Sequence, residues 1–114
     1  MHVSHFSFGR IVINGHSCEQ DIIIDRNKIS IRDKNPSRAF KSQYGHTPLS
    51  VNENIPWHCN RLIIGSGMYG KLPVLDEVFA KAKKQNVYIQ VMPTPDAIKE
   101  INSVKTNFIL HLTC

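Results

Sequence analysis

Cysteine is scarce in this 114-residue chain, and its three copies (Cys18, Cys59 and Cys114) are odd in number and show no CxxC spacing. Such a set argues against a disulfide framework and against a four-thiolate zinc site, and it points to a reduced, cytoplasmic setting. Long apolar runs are missing too. None approaches the ~20 residues needed to cross a bilayer, and the opening MHVSHFSFGR has no signal-peptide core. Aromatic residues contribute only 8%, yet 41% of the chain is hydrophobic and 20% charged, which is too apolar for a disordered segment. A chain of this length buries roughly two-thirds of its unfolded surface and needs no staples. It is too short for a two-lobed dinucleotide enzyme or an eightfold barrel. With no linker, low-complexity tract or internal repeat, residues 1–114 read as one domain.

The pattern of the chain predicts an α/β fold. Residues 8–13 and 21–24 are β-branched and apolar, with the tight-turn pair Asn14-Gly15 between them, and 29–32 alternates as a third short strand. Residues 33–48 form the longest irregular stretch, of the kind that often carries function. Ser50 and Glu53 have capping-box spacing, but Pro56 limits any helix there to about one turn. Beyond residue 60 the order becomes regular. A strand over 61–64 leads into the glycine-rich GSGMYG, and a helix follows Pro73 with Val74, Val78, Phe79 and Ala82 on one face. A strand over 87–91, a short helix opened by Thr94-Pro95-Asp96, and a closing strand over 108–113 complete the chain. This arrangement implies a compact layered domain with a mixed, partly parallel sheet, an N-terminal β-hairpin and two main helices.

Several residue groups are candidates for chemistry. Gly65, Ser66, Gly67 and Gly70 lie in a GxGxxG pattern after a strand, where a loop can present its amides to an anion. For a dinucleotide the match is poor. Lys71-Leu72-Pro73 separates the last glycine from the helix, and the next strand ends in Met92-Pro93 where a ribose-binding acid would stand. Ser66 is not set in a GxSxG elbow, and no acid is visibly placed to orient a histidine, so no catalytic residue is assigned. Six histidines fall at no HxH or HxxxH spacing, which assigns no metal site. His46, beside Gly45 in the long loop, is the histidine best placed to line a pocket, and Thr94 at the next helix start could join it. His2 and His5 belong to a terminus expected to fray. Cys114 and His111 are three apart on a strand and diverge, so both read as structural.

The formal net charge of +5 is unevenly spread. Six basic residues between positions 26 and 41 face Asp33 alone, and the remaining eight basic residues are matched by eight acidic ones. Arg32, Lys34, Arg38 and Lys41 therefore mark a candidate partner surface, attractive to acidic or phosphorylated ligands. With only Phe40 and Tyr44 nearby for stacking, and no nucleic-acid-binding motif, a specific nucleic-acid reader is not expected.

FGRIVINGHSCEQDIII, GHTPLS, LIIGSGMYGKLPVLDEV, the MPTPDAI helix start and the closing LHLTC occur in an order that resembles the MTH-nine-three-eight-like domain family. That family is a domain of unknown function, which includes the adipogenesis-associated domain protein and a mitochondrial complex I assembly factor. The likeness spans nearly the whole chain. It departs at Cys18, where the family usually has an aromatic residue, and between Leu49 and Arg61, where Pro56 interrupts. The resemblance implies a compact α/β domain acting through protein partners as an interaction or assembly module, with no catalytic residues to carry over and no cofactor. The alternative is a small-ligand or anion-binding domain, or an enzyme, built on the Gly65–Gly70 loop.

Overall fold

The computed structural model describes all 114 residues. Eight strands form two sheets. A small antiparallel sheet, β1-β2-β3, comprises Val3–Ser7, Arg10–Ile13 and His16–Cys18. The main sheet has the order β5-β4-β8-β6-β7, from Lys28–Ile31, Ile22–Asp25, Thr106–His111, Arg61–Ser66 and Tyr88–Met92. Strands β7, β6 and β8 are parallel, while β4 joins β8, and β5 joins β4, in antiparallel pairs. The expected mixed α/β architecture is therefore present. Asn14-Gly15 makes the expected tight turn with both residues at positive φ, but it connects β2 to the short β3 and not to the strand starting at Ile22. The N-terminal residues do not fray. Residues 3–7 pair with β2, and the Met1 ammonium donates to Asn102 Oδ1 at 2.7 Å.

The strands of the main sheet alternate between two buried faces, as a sheet covered on both sides requires. Ile22, Ile24, Ile63, Phe108 and Leu110 face Ile11 and Ile13 of the small sheet and Ala97 and Ile101. Leu62, Ile64 and Ile109 face the opposite way, onto Leu49, Ile55, Leu72, Val78 and Val87. Helix α1 is a single turn, Lys41–Tyr44, continuing a 3₁₀ segment over Asn35–Phe40. Helix α2 (Asp76–Lys84) covers the second face through Val78 and Ala82, and α3 (Thr94–Ile98) covers the first. The chain leaves β6 for β7 on one side and returns past β6 to β8 on the other. Right-handed crossovers in these two directions place α2 and α3 on opposite faces. Asp76 and Glu77 in the first turn of α2, and Lys81, Lys83 and Lys84 in its last, complement the helix dipole. No helix is long and apolar enough to cross a membrane.

Two local expectations give way to tertiary contacts. Ser50 and Glu53 start no helix; their side chains turn inward to a buried ion cluster. Thr94 does not cap α3. Its hydroxyl donates to the carbonyl of His111 at 2.6 Å and accepts from the N–H of Gly67 at 2.9 Å, tying α3 to the ends of β8 and β6.

The glycines after β6 answer to close packing. A Cβ on Gly65 would lie 2.8 Å from Thr94 Oγ1, and one on Gly67, whose φ is +105°, would lie 2.2 Å from the Cys114 carbonyl carbon. The Gly67 collision is with backbone, which has no rotamer in which to retreat. Gly67→Ala should therefore destabilise the fold by about 2 kcal/mol or more, measured by urea denaturation, whereas Lys71→Ala on the exposed end of the same turn should stay within about 0.5 kcal/mol.

Candidate functional site

The most elaborate polar arrangement surrounds Arg32, at the end of β5. The guanidinium is almost wholly buried and grips Glu53 with two bonds, Nε to Oε1 at 2.7 Å and Nη2 to Oε2 at 2.9 Å. It also donates through Nη1 to Asp21 Oδ2 at 2.9 Å and through Nη2 to the Pro48 carbonyl at 3.0 Å. Asp21 in turn accepts from the Leu112 N–H at 2.9 Å and lies 2.7 Å from His111 Nδ1. Ser37, from the 3₁₀ segment, donates to Glu53 Oε2 at 2.5 Å and meets the Ser50 hydroxyl at 2.6 Å. No buried side-chain nitrogen or oxygen in the protein is left without a partner. Completeness matters here, because a buried charge is tolerated only when it is paired and fully hydrogen-bonded.

The electrostatics follow from this closure. Burial on its own would push the Asp21 carboxyl up. The His111 hydrogen bond and charge, the Leu112 N–H and the Arg32 guanidinium outweigh it and hold Asp21 below the ordinary carboxylate range. Burial would likewise lower Arg32, but Glu53 and then Asp21 raise it, so the guanidinium stays charged. Asp21, His111 and the Thr113 hydroxyl (3.2 Å from Nε2) stand in the order of a nucleophilic relay. Yet Asp21 Oδ2 is shared with Arg32 and Oδ1 is taken by the Leu112 N–H, so both carboxylate oxygens are engaged structurally. What the three side chains do is fasten the end of β8 to the segment entering β4.

An open polar cleft of about 520 Å³ lies over this cluster, with Asp21 and Arg32 in its lining and Gln20, Lys34, Arg38 and Thr113 around it. Here the expected basic surface divides. Arg32, read from the sequence as part of it, is buried and neutralised by Glu53 and Asp21. Lys34 is half-buried, Arg38 and Lys41 are exposed, and none of these three has a carboxylate within 4.0 Å. What seemed a run of equivalent cations is one structural arginine beneath three free ones.

The residues of the proposed anion loop do come together, with each other. Gly65, Ser66, Gly67 and Thr94 meet where β6, β8 and α3 join, and the Ser66 hydroxyl donates to the Met92 carbonyl at 3.1 Å. The loop amides point into the protein. Met68 donates to the Thr113 carbonyl, Tyr69 and Lys71 to the main-chain oxygen of Cys114, Gly70 to Gly67 and Leu72 to Ser66. In an open parallel sheet a ligand lodges at the carboxyl ends of the strands where the winding reverses. That place lies between β6 and β8, and Thr94 and residues 113–114 fill it. The anion cradle expected of this motif is thus occupied by the chain's own backbone. Outside the turn, Tyr69 is exposed and pairs with Phe8, ring centroids 6.3 Å apart. His46 is half-buried and does not line the cleft over Arg32. Glu53 and Asp21 were the site residues the sequence did not reveal; an acid buried beside apolar neighbours (Ile22 and Ile55) was the available signal.

No family model and no curated protein matches the chain. Solved structures do. A conserved hypothetical protein, PH1505 from Pyrococcus horikoshii OT3, is 25% identical with full coverage of both chains and a TM-score of 0.78. MT938 is 22% identical, covering 98% of this chain and 97% of that one, with a TM-score of 0.66. An outer membrane protein from Bartonella henselae is 15% identical, covering 98% and 94%, with a TM-score of 0.68. The likeness to MT938 agrees with the MTH-nine-three-eight-like fold that the motifs imply.

Two outcomes follow from the cluster. Arg32→Met strands two carboxylates in the interior and should cost about 3–5 kcal/mol in urea denaturation. Because the folded-state pKa of Asp21 is depressed, its contribution is complete above the ordinary value of about 3.9 and is lost as pH falls through the lower folded value. Stability measured against pH should therefore decline less steeply below about pH 4 in Asp21→Asn than in the parent.

Proposed function

We infer that this chain is an MTH-nine-three-eight-like domain that works as a cytoplasmic protein-interaction or assembly module, and that its contact face is the segment from Lys34 to Lys41. The observation that carries this reading is the contrast between the two layers of that segment. Ser37 is wholly buried and bonded to Glu53 and Ser50, so the backbone is held from beneath. Above it Lys34, Arg38 and Lys41 are free of carboxylate partners, Lys34 immediately before a short helical stretch and the other two on it. A rigid backbone carrying unpaired cations reduces the ordering cost of binding and favours an acidic partner segment. The packed Gly65–Gly70 turn supports this reading against a ligand-binding enzyme, because its amides have no capacity left for an anion.

The test is crosslinking mass spectrometry in cells that express the parent and the triple variant Lys34→Glu/Arg38→Glu/Lys41→Glu. Partner crosslinks should gather on residues 33–44 and disappear in the variant, whose circular dichroism and melting temperature should match the parent. Crosslinks that gather elsewhere, or that survive the reversal of charge, would refute the assignment.

A further inference from the structure

A second concave region lies at the opposite end of the main sheet, where β6 and β8 begin. Two open clefts, of about 670 and 520 Å³, run into each other there and share Arg26, His58 and Lys105 in their linings. The larger one is edged by Asn14, Asn27 and Asn102, and Trp57 stands in the other. Two carboxylates lie beside the larger cleft, Glu100, which accepts from the Ser103 hydroxyl at 3.3 Å, and Asp25. Asp25 is the one that touches a cation. It holds the Arg26 guanidinium through Nε at 3.0 Å and Nη2 at 3.4 Å, which leaves Nη1 unengaged. Lys105 has no ion pair.

The Lys105 carbonyl accepts from the N–H groups of Asn60 and Arg61, while Arg26 is set in place from below by Asn107, on β8. Its buried side chain accepts from the Arg26 N–H at 2.8 Å and donates to Asp25 Oδ1 and to the carbonyls of Pro56 and His58. One amide therefore fixes the backbone that carries Arg26 and the backbone that carries His58. Four of the five non-glycine residues with positive φ in the chain, Asn14, Arg26, Asn27 and Lys105, line this one region. The two asparagines suit their tight turns, but the left-handed conformation is unfavourable for arginine and lysine. Long cations occupy positions that glycine or asparagine would fill with less strain, and both point to the same cleft.

We propose that this double cleft binds a phosphate ester of a small polar molecule of about nucleotide size. The phosphate sits between Arg26 and Lys105, the asparagine amides and His58 take hydrogen bonds from the rest of the molecule, and Trp57 gives it an apolar face. Open pockets of a few hundred cubic ångströms suit such a ligand, and guanidinium with ammonium is the pairing that phosphate selects. This site shares no residue with the Lys34–Lys41 face and stands or falls separately from it.

The test is an amide NMR titration of the whole chain with AMP as probe, alongside inorganic phosphate, adenosine and a short single-stranded oligonucleotide. AMP should shift the amides of Arg26, Asn27, His58, Lys105 and Thr106 saturably, inorganic phosphate should shift them less, and adenosine should leave them unmoved. Arg26→Gly/Lys105→Gly removes both charges while relieving the left-handed backbone. It should keep or raise the melting temperature and weaken AMP by about tenfold or more. Should that variant not fold, Lys105→Gln, which keeps a side chain of similar length, should still weaken AMP measurably. No shift at these amides up to about 10 mM AMP, beyond which affinity carries no specificity, overturns the proposal, as does undiminished binding by either variant. Saturation by the oligonucleotide well before AMP overturns the small-molecule class in favour of a phosphodiester chain.

Discussion

The contact on which much of this structure depends is the buried pairing of Arg32 with Glu53 and Asp21. It is a costly device, because three ionised groups leave water to make it. It repays that cost in connectivity. Arg32 follows β5, Asp21 precedes β4, Glu53 lies in the irregular segment before β6, His111 ends β8 and Leu112 follows it. Ser37 and the Pro48 carbonyl add the long loop. The long loop and the segment before β6, which belong to no ladder of the main sheet, are thereby held against the paired ends of β5, β4 and β8. An apolar core could supply similar stability but not the same directional specification of where a loop must lie.

A second constraint sits at the carboxyl ends of the parallel strands. There the fold has the topology that in many α/β proteins opens a ligand crevice, and the sequence has glycines to match. The same permissiveness that would admit a pyrophosphate to the backbone here admits the Cys114 backbone and the Thr94 hydroxyl. The glycine pattern is therefore a statement about close approach, and what approaches is decided by the rest of the chain. Sealing that crevice leaves polar surface of functional interest in the cleft over Arg32 and at the opposite end of the sheet.

Those two regions differ in kind. Over Arg32 the cations stand in a mixed-charge setting with Glu19, Asp21 and Asp33 beside them, and the free ones project from a short helical stretch that another protein surface can reach. At the far end no carboxylate lines the clefts, the neighbouring Asp25 is tied to Arg26, and the concave walls are rich in asparagine. The first suits an extended acidic partner, the second a compact phosphate-bearing ligand. Both are rigid for the same reason, a buried polar side chain (Ser37 in one, Asn107 in the other) that fastens the backbone from within.

Much of the fold was legible along the chain, because alternation of apolar residues and the Asn14-Gly15 signal act over a few neighbours; the helix expected from Pro73 begins only at Asp76, since Val74 bridges to Leu49. The mixed sheet and the order of strands and helices after residue 60 are of that local kind. The roles of Arg32, Glu53 and Thr94 are not. A capping-box spacing at Ser50 and Glu53, a helix cap at Thr94 and a surface cation at Arg32 are each sound local readings, overridden by partners 11 to 27 residues away. What the sequence by itself determined was the sum of the charge, the class of the fold and where backbone must come close. Only the tertiary structure decided which cations are free and which clefts are open, since charge is a property of residues but its pairing is a property of distance.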